Sequence, residues 1–246
     1  VYRRSTGVFL LACVGVLSSG CRENRQETAA VVSSLVSSDT AGSAELLRKR
    51  AGGRAVLIVE SSGPNESDRK IALEMQNLGF DVDTISANQA NAADLTDARM
   101  VVISESTQSD DLAGELQDLP VPVLLLEPSL TDDMGLCGAE WQSDYGDLVG
   151  QENLMITSPG HILTAGLSGK VQVSKGPQKF VWGVPSSSAI SIAGSDSQPQ
   201  RNLIFAYERR NQMVRGVAPA RRSFFFAGRD TPQLMTTQGW KLFRSM

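Results

Sequence analysis

The sequence predicts an α/β domain on one open sheet, parallel in its first half and extended by antiparallel strands in its second. Three observations predict it. Between Ala55 and Glu127, short apolar runs rich in β-branched residues alternate with segments of helical period, which is the pattern of β-α-β crossovers over a parallel sheet. Beyond residue 150 the apolar runs shorten and are separated by Gly, Pro and Ser, the pattern of antiparallel strands joined by turns. The 22 glycines and 10 prolines among 246 residues argue against a coiled coil and suit a domain with many turns.

Each element follows in order. Ala55–Glu60 is a continuous apolar run, expected as a strand covered on both faces. Pro64–Ser67 makes a turn and helix start. A helix over Asp68–Leu78 then aligns Ile71, Ala72, Met75 and Leu78 on one face, and Gly79 stops it. Phe80–Ile85 and Met100–Ser104 are the second and third strands, with a short helix at Ala87–Leu95 between them. A helix over Asp110–Leu119, closed by Pro120, leads into the fourth strand, Val121–Glu127. The later candidates are Leu154–Ile156, Val171–Val173, Phe180–Trp182, Ala189–Ala193, Asn202–Tyr207, Gln212–Gly216 and Arg222–Phe226, read as antiparallel additions. Thr231–Arg244 is expected as a closing helix on one face.

The residues ahead of this domain carry an address. Arg3 and Arg4 precede the apolar run Gly7–Leu17, and Ser18-Ser19-Gly20 stands directly before Cys21. A basic start, a short apolar stretch and small residues at a cut site make a secretory signal. The run falls short of the roughly 20 apolar residues of a membrane span. The cysteine after Ser-Ser-Gly resembles a bacterial lipobox, which implies cleavage before Cys21 and lipidation of its thiol. One departure is that Leu17 sits four residues before Cys21, where the motif has Leu three before. The alternative is an ordinary secretory signal with Cys21 incidental. Val1 is read as an initiator from a non-standard start codon. The division expected is therefore a signal peptide over 1–21, a Ser/Ala/Glu/Arg-rich tether over 22–53 and a globular domain over 54–246. The location expected is the cell envelope through a lipid anchor, or secretion if Cys21 is not lipidated.

Charge and cysteine content exclude several function classes. The net charge is −4, and without Arg3 and Arg4 it is −6; neither suits a dedicated nucleic-acid binder. His161 is the single histidine and Cys137 the single cysteine after Cys21, so no multi-His site, internal disulfide or cysteine zinc cluster can be built in the domain. No cofactor and no metal are expected. Cys137 has no histidine near it in sequence and is read as a small buried residue before a nucleophile.

Several stretches together resemble a known group. They are the strand–helix start, Val121–Pro128 (VPVLLLEP), Ser158–Leu167 (SPGHILTAGL), and Ala206-Tyr207-Glu208 with Ala218-Pro219-Ala220-Arg221-Arg222. Over Arg54–Met246 the chain is similar to the glutamine-amidotransferase-like α/β domains of secreted bacterial proteins related to the trehalose-utilisation family. The resemblance implies a flavodoxin-like, class I amidotransferase-like open sheet, often found beside carbohydrate-active modules. It does not bring the enzyme's chemistry with it. Class I amidotransferases place a nucleophilic Cys on a tight turn after a central strand, paired with His and Glu. Here that strand runs into Glu127-Pro128-Ser129, and Cys137 follows only later. No G-x-S-x-G element replaces it.

What remains is a row of acids. Glu60, Glu105 and Glu127 each fall at the carboxyl end of an expected parallel strand, the edge where open α/β sheets bind ligands. A carboxylate there can accept sugar hydroxyls, act as a general base or ligate a hard cation; it can equally accept N–H bonds from a following helix start. Trp141 and Tyr145 can stack on a sugar ring or cover the sheet edge. His161 is the only imidazole available for acid–base work, or a loop cap. Arg221-Arg222 can bind an anion or pair with the acidic edge, or sit in ordinary salt bridges. Two function classes are open. The first is a membrane-tethered, non-catalytic binding or scaffolding module for a carbohydrate or surface protein, with Glu60, Glu105, Glu127, Trp141 and Tyr145 at the site. The second is a hydrolase of a sugar-related substrate, using Glu60, Glu127 and His161. The second requires those three groups to converge within hydrogen-bond reach or one water.

Overall fold

The computed structural model describes residues 52–112 and 114–246. The expected signal peptide, Cys21 and the tether through residue 51 lie outside the described residues. Among those described, no helix is long and apolar enough to cross a membrane.

Eleven strands form one sheet. They are β1 (Arg54–Val59), β2 (Asp81–Ser86), β3 (Met100–Ile103), β4 (Val123–Leu125), β5 (Tyr145–Gln151), β6 (Asn153–Ile156), β7 (Lys170–Gln172), β8 (Gln178–Gly183), β9 (Ile190–Gly194), β10 (Asn202–Tyr207) and β11 (Arg222–Phe225). Their order is β2-β1-β3-β4-β11-β10-β9-β6-β7, with β8 against β10 and β5 against β8. The first five positions are parallel throughout, which reproduces the flavodoxin-like order 2-1-3-4-5. From β11 onward every pairing is antiparallel. The mixed α/β architecture is therefore the one expected, with one strand reassigned. β11, expected as an antiparallel addition, is the fifth parallel strand, its Arg222 in register with Val123 of β4.

Alternation along the parallel strands explains why they are buried on both faces. Ala55, Leu57, Val59, Val102, Leu124 and Phe225 join one apolar layer, while Val56, Ile58, Val101, Ile103, Val123, Leu125 and Phe224 join the other. Each fully buried aliphatic or phenyl side chain contributes roughly 1.5–3 kcal/mol. The first layer is closed by α1 (Glu66–Asn77), α2 (Thr231–Leu234) and α3 (Thr237–Phe243). Asn65 caps α1 reciprocally: its side chain accepts the Asp68 N–H at 3.0 Å, and Asp68 accepts the Asn65 N–H at 2.9 Å. Ile71 and Met75 are its buried residues on the apolar face. At its end Gly79, at φ 93°, takes the left-handed conformation that closes the helix.

Among the described residues the second layer has no α-helix of its own, contrary to expectation. Ala87–Leu95 forms two 3-10 turns, Ala87–Gln89 and Ala92–Leu95, because the Asn91 side chain caps the Ala93 N–H at 2.9 Å and restarts the chain there. The Asp110–Leu119 helix is replaced by a 3-10 turn at Ser109–Asp111 and further turns, although Leu112, Leu116 and Leu119 do point inward. Gly114 is left-handed at φ 75°. The carbonyls of Gln117, Leu119 and Val121 turn toward the buried guanidinium of Arg222 and accept from it at 3.1, 2.5 and 2.9 Å.

Smaller corrections follow in the second half. Gln212–Gly216 is a tight loop closed by a Gln212–Val217 bridge. β5 was not expected, since Gly146 and Gly150 interrupt its pattern. The closing helix is broken into α2 and α3 because Met235 is extended and bridges Ser174, after which Thr236 caps α3.

Candidate functional site

The parallel order β1-β3-β4 sets Glu60, Glu105 and Glu127 side by side along the carboxyl edge. Glu60 is held by Arg229, whose Nη2 lies 2.8 Å from its Oε2. Arg229 follows β11 and reaches this edge because β11 is parallel. Glu105 is 8% exposed and is met by Lys179, with Nζ 2.5 Å from Oε1. Burial raises the Glu105 carboxyl above its ordinary value, against the opposing pull of Lys179 and of the Arg229 backbone N–H. Lys179 and Arg229 escaped the sequence reading: they meet their acids only through long-range packing.

Glu127 differs from both neighbours. It is equally buried, at 8% exposure, and no cation pairs with it among the described residues. Its Oε1 accepts the Ser129 N–H at 2.8 Å, capping the 3-10 turn Pro128–Leu130. Burial pushes its carboxyl up to about 7; the Ser129 N–H opposes this and the charge of Glu105 adds to it. Glu127 can therefore hold or release a proton near neutrality.

Beneath this edge Asp68 is fully buried, accepting from the Ser106 hydroxyl at 3.0 Å and from Ser104. Tyr145, the first residue of β5, stacks edge-on with Trp141 at 5.5 Å between ring centroids. Burial raises its phenol, followed by the charges of Asp132, Asp133, Glu127 and Glu140, so the ring lies on the acidic side of the domain. Trp141 is half exposed, at 52%. Its neighbour Gln142 is left-handed at φ 61° and donates its side-chain amide to Asp147 at 3.0 Å. Among the described residues no three His, Cys, Asp or Glu side chains are arranged to hold a metal ion.

The other candidates lie elsewhere. β6 runs opposite to the parallel strands, so His161, in the loop after it, sits at the edge where those strands begin. Four strand positions separate β6 from β4, roughly 19 Å at about 4.8 Å per strand. There the His161 Nδ1 accepts the Leu163 N–H at 3.2 Å and caps a 3-10 turn. The structure thus brings Glu60, Glu105 and Glu127 together and leaves His161 out. Arg221 and Arg222 also lie at the amino end of β11, away from the acids: Arg221 pairs with Glu208 at 2.7 Å, and Arg222 is enclosed in the core. Cys137 is buried against Gly183. Burial pushes its thiol up to about 12, against a smaller opposing influence of the nearby Val184 N–H and Thr131 hydroxyl.

No family model matches the chain, and no curated protein matches it. Solved structures do. A protein named for one of the subunits of GMP synthase, from Thermoplasma acidophilum, superimposes with a TM-score of 0.53 at 13% identity, over 78% of this chain and 91% of that one. The fold is class I amidotransferase-like. A glutamine amidotransferase from Thermotoga maritima aligns at 10% identity over 72% of this chain and 76% of that chain, with a TM-score of 0.41. At such identities the likeness concerns the fold alone.

Proposed function

We propose that the chain is a membrane-tethered, extracytoplasmic binding module on the amidotransferase-like scaffold, of the trehalose-utilisation-related kind, and that it works without the amidotransferase nucleophile. Its ligand surface is the carboxyl edge with Trp141 and Tyr145, and its ligand is a carbohydrate or a surface protein bearing one. The observation that carries this reading is the turn after β4. It reads Glu127-Pro128-Ser129 where a class I enzyme keeps its cysteine, and the remaining thiol of the domain, Cys137, is buried and protonated. Ion pairs on Glu60 and Glu105 further favour holding a ligand over transforming one. The tether is Cys21, lipidated after cleavage.

A glycan array probed with the full chain, followed by a glutaminase assay, tests the binding reading. Saturable glycan binding weakened by Trp141→Ala, with no ammonia released from glutamine, is the expected result; glutamine hydrolysis rejects it. Mass spectrometry of the protein recovered from membranes tests the tether, with an acylated Cys21 at the N-terminus expected and a free N-terminus elsewhere rejecting it.

The proton affinity of Glu127 favours a second reading, a hydrolase of a sugar-related substrate in which Glu127 is the general acid or base. His161 takes no part in it, being at the opposite edge, and Glu60 is engaged by Arg229. Turnover of a bound glycan that is lost in Glu127→Gln with the fold intact would select this reading.

A further inference from the structure

We propose that a cavity at the opposite edge of the sheet, where the parallel strands begin, binds a single-chain amphiphile with an anionic head group such as a fatty carboxylate. This cavity has a volume of about 420 Å³, within the roughly 300–1,000 Å³ of small-molecule sites. Its location is set by the parallel strands: Phe80 precedes β2, Met100 opens β3 and Leu124 lies in β4. Met75 and Leu78 enter from the end of α1, and Phe243 from the end of α3. Most of the lining is therefore apolar.

The cations of the lining are Arg99, Arg221 and Arg244. Two of them are engaged, Arg221 by Glu208 at 2.7 Å and Arg244 by Glu74 at 3.3 Å. Arg99 makes no ion pair among the described residues. Its stem is seated against Gly53, which is left-handed at φ 70°; a Cβ there would stand 2.7 Å from Arg99 Cγ. Its backbone N–H is fixed to the Arg54 carbonyl at 2.7 Å. The negative end of α1 does not cancel this charge, because the N–H groups of Leu78, Gly79 and Phe80 already satisfy the carbonyls of its last turn. A mostly apolar recess lined by one guanidinium that makes no ion pair among the described residues matches a chain that carries a carboxylate at one end, since the guanidinium fork takes a carboxylate bidentately. The ligand surface proposed above lies at the other edge, so the two readings stand or fall separately.

Methyl NMR of the full chain, labelled at methionine, tests the proposal with sodium decanoate below its micelle concentration. Met75, Met100 and Met246 border the cavity, whereas Met134, Met155, Met213 and Met235 do not. Saturable shifts of the first three methyls alone are expected. Arg99→Gln should weaken decanoate about tenfold, the loss of one charge-assisted hydrogen bond, and leave decanol unchanged. Leu78→Glu, at a residue 42% exposed, should exclude decanoate by like charge without unfolding the domain. Shifts spread over all seven methyls, equal affinity in Arg99→Gln, or a response to vesicles of anionic phospholipid in place of monomeric decanoate would each overturn it.

Discussion

Lys179 Nζ stands 2.5 Å from the buried Glu105, while Glu127, one strand further along the same edge, has no such cation among the described residues. The edge is thereby divided into two neutralised acids and one whose proton is in play. Lys179 is 42% exposed at its side chain and Glu105 only 7%, so the lysine brings a solvated charge to an acid that has lost its own solvation.

Replacing Lys179 with Met should destabilise the domain by about 1–3 kcal/mol at pH 7, because an uncompensated carboxylate remains buried. Lowering the pH protonates Glu105 and should remove most of that loss. Urea unfolding of both proteins at pH 7 and pH 4.5 measures the difference.

The pH dependence of stability should carry the signature of Glu127. Its folded carboxyl is raised from 4.5 to about 7, so between those values the native state binds more protons than the unfolded chain. Stability from this group is present in full below pH 4.5 and declines as the pH rises through 7, by up to about 3 kcal/mol. Glu127→Gln should flatten the profile across that window. Urea midpoints between pH 4.5 and 7.5 provide the comparison.

Arg222 is a cation in the core with carbonyl partners and, among the described residues, no carboxylate bonded to it. Burial lowers its guanidinium to about 10, still charged at neutral pH. Arg222→Ala leaves the carbonyls of Leu119 and Val121 without a donor and opens a cavity, so a loss of about 3–5 kcal/mol is expected. Arg222→Lys should recover part of it. Thermal unfolding followed by circular dichroism ranks the variants.

Gly183 and Cys137 should behave as one unit. A Cβ on Gly183 would fall 2.6 Å from Cys137 Sγ, so Gly183→Ala is expected to cost about 1–3 kcal/mol. In a Cys137→Gly background the same change should cost much less. A double-mutant cycle in urea reads the coupling. Iodoacetamide labelling mapped by peptide should leave Cys137 unmodified in the native protein.

The first half of the chain was legible because its signals are local. Ala55–Val59 and Val101–Ile103 are unbroken apolar runs, and Asn65 and Gly79 punctuate α1 within a few residues of its ends. The helix expected over Ala87–Leu95 failed where the Asn91 side chain competed for the backbone, and the one over Asp110–Leu119 is interrupted at the left-handed Gly114. The acidic edge was legible because strand ends locate Glu60, Glu105 and Glu127. Its cations were not. Ser223–Phe226 is as continuously buried as β1, and reading it as parallel would have delivered Arg229 to the same edge. Lys179 offers no such signal, since it sits in an ordinary strand and meets Glu105 only in the tertiary structure. The distance of His161 from the acids was hidden for a similar reason: it depends on the direction of β6, which hydrophobic pattern does not encode.

The slot between β4 and β10 is filled by β11, whose Arg222 pairs with Val123. The flank of β4 therefore stays unzipped during synthesis until Arg222–Phe225, about a hundred residues later, have emerged. Closing so long a loop is entropically slow, and an unpaired strand invites association between half-made molecules. Truncation before Phe225 should thus yield aggregates, not a shorter soluble domain, and an early, stable four-stranded intermediate would show that the amino-terminal strands can wait safely for their last neighbour.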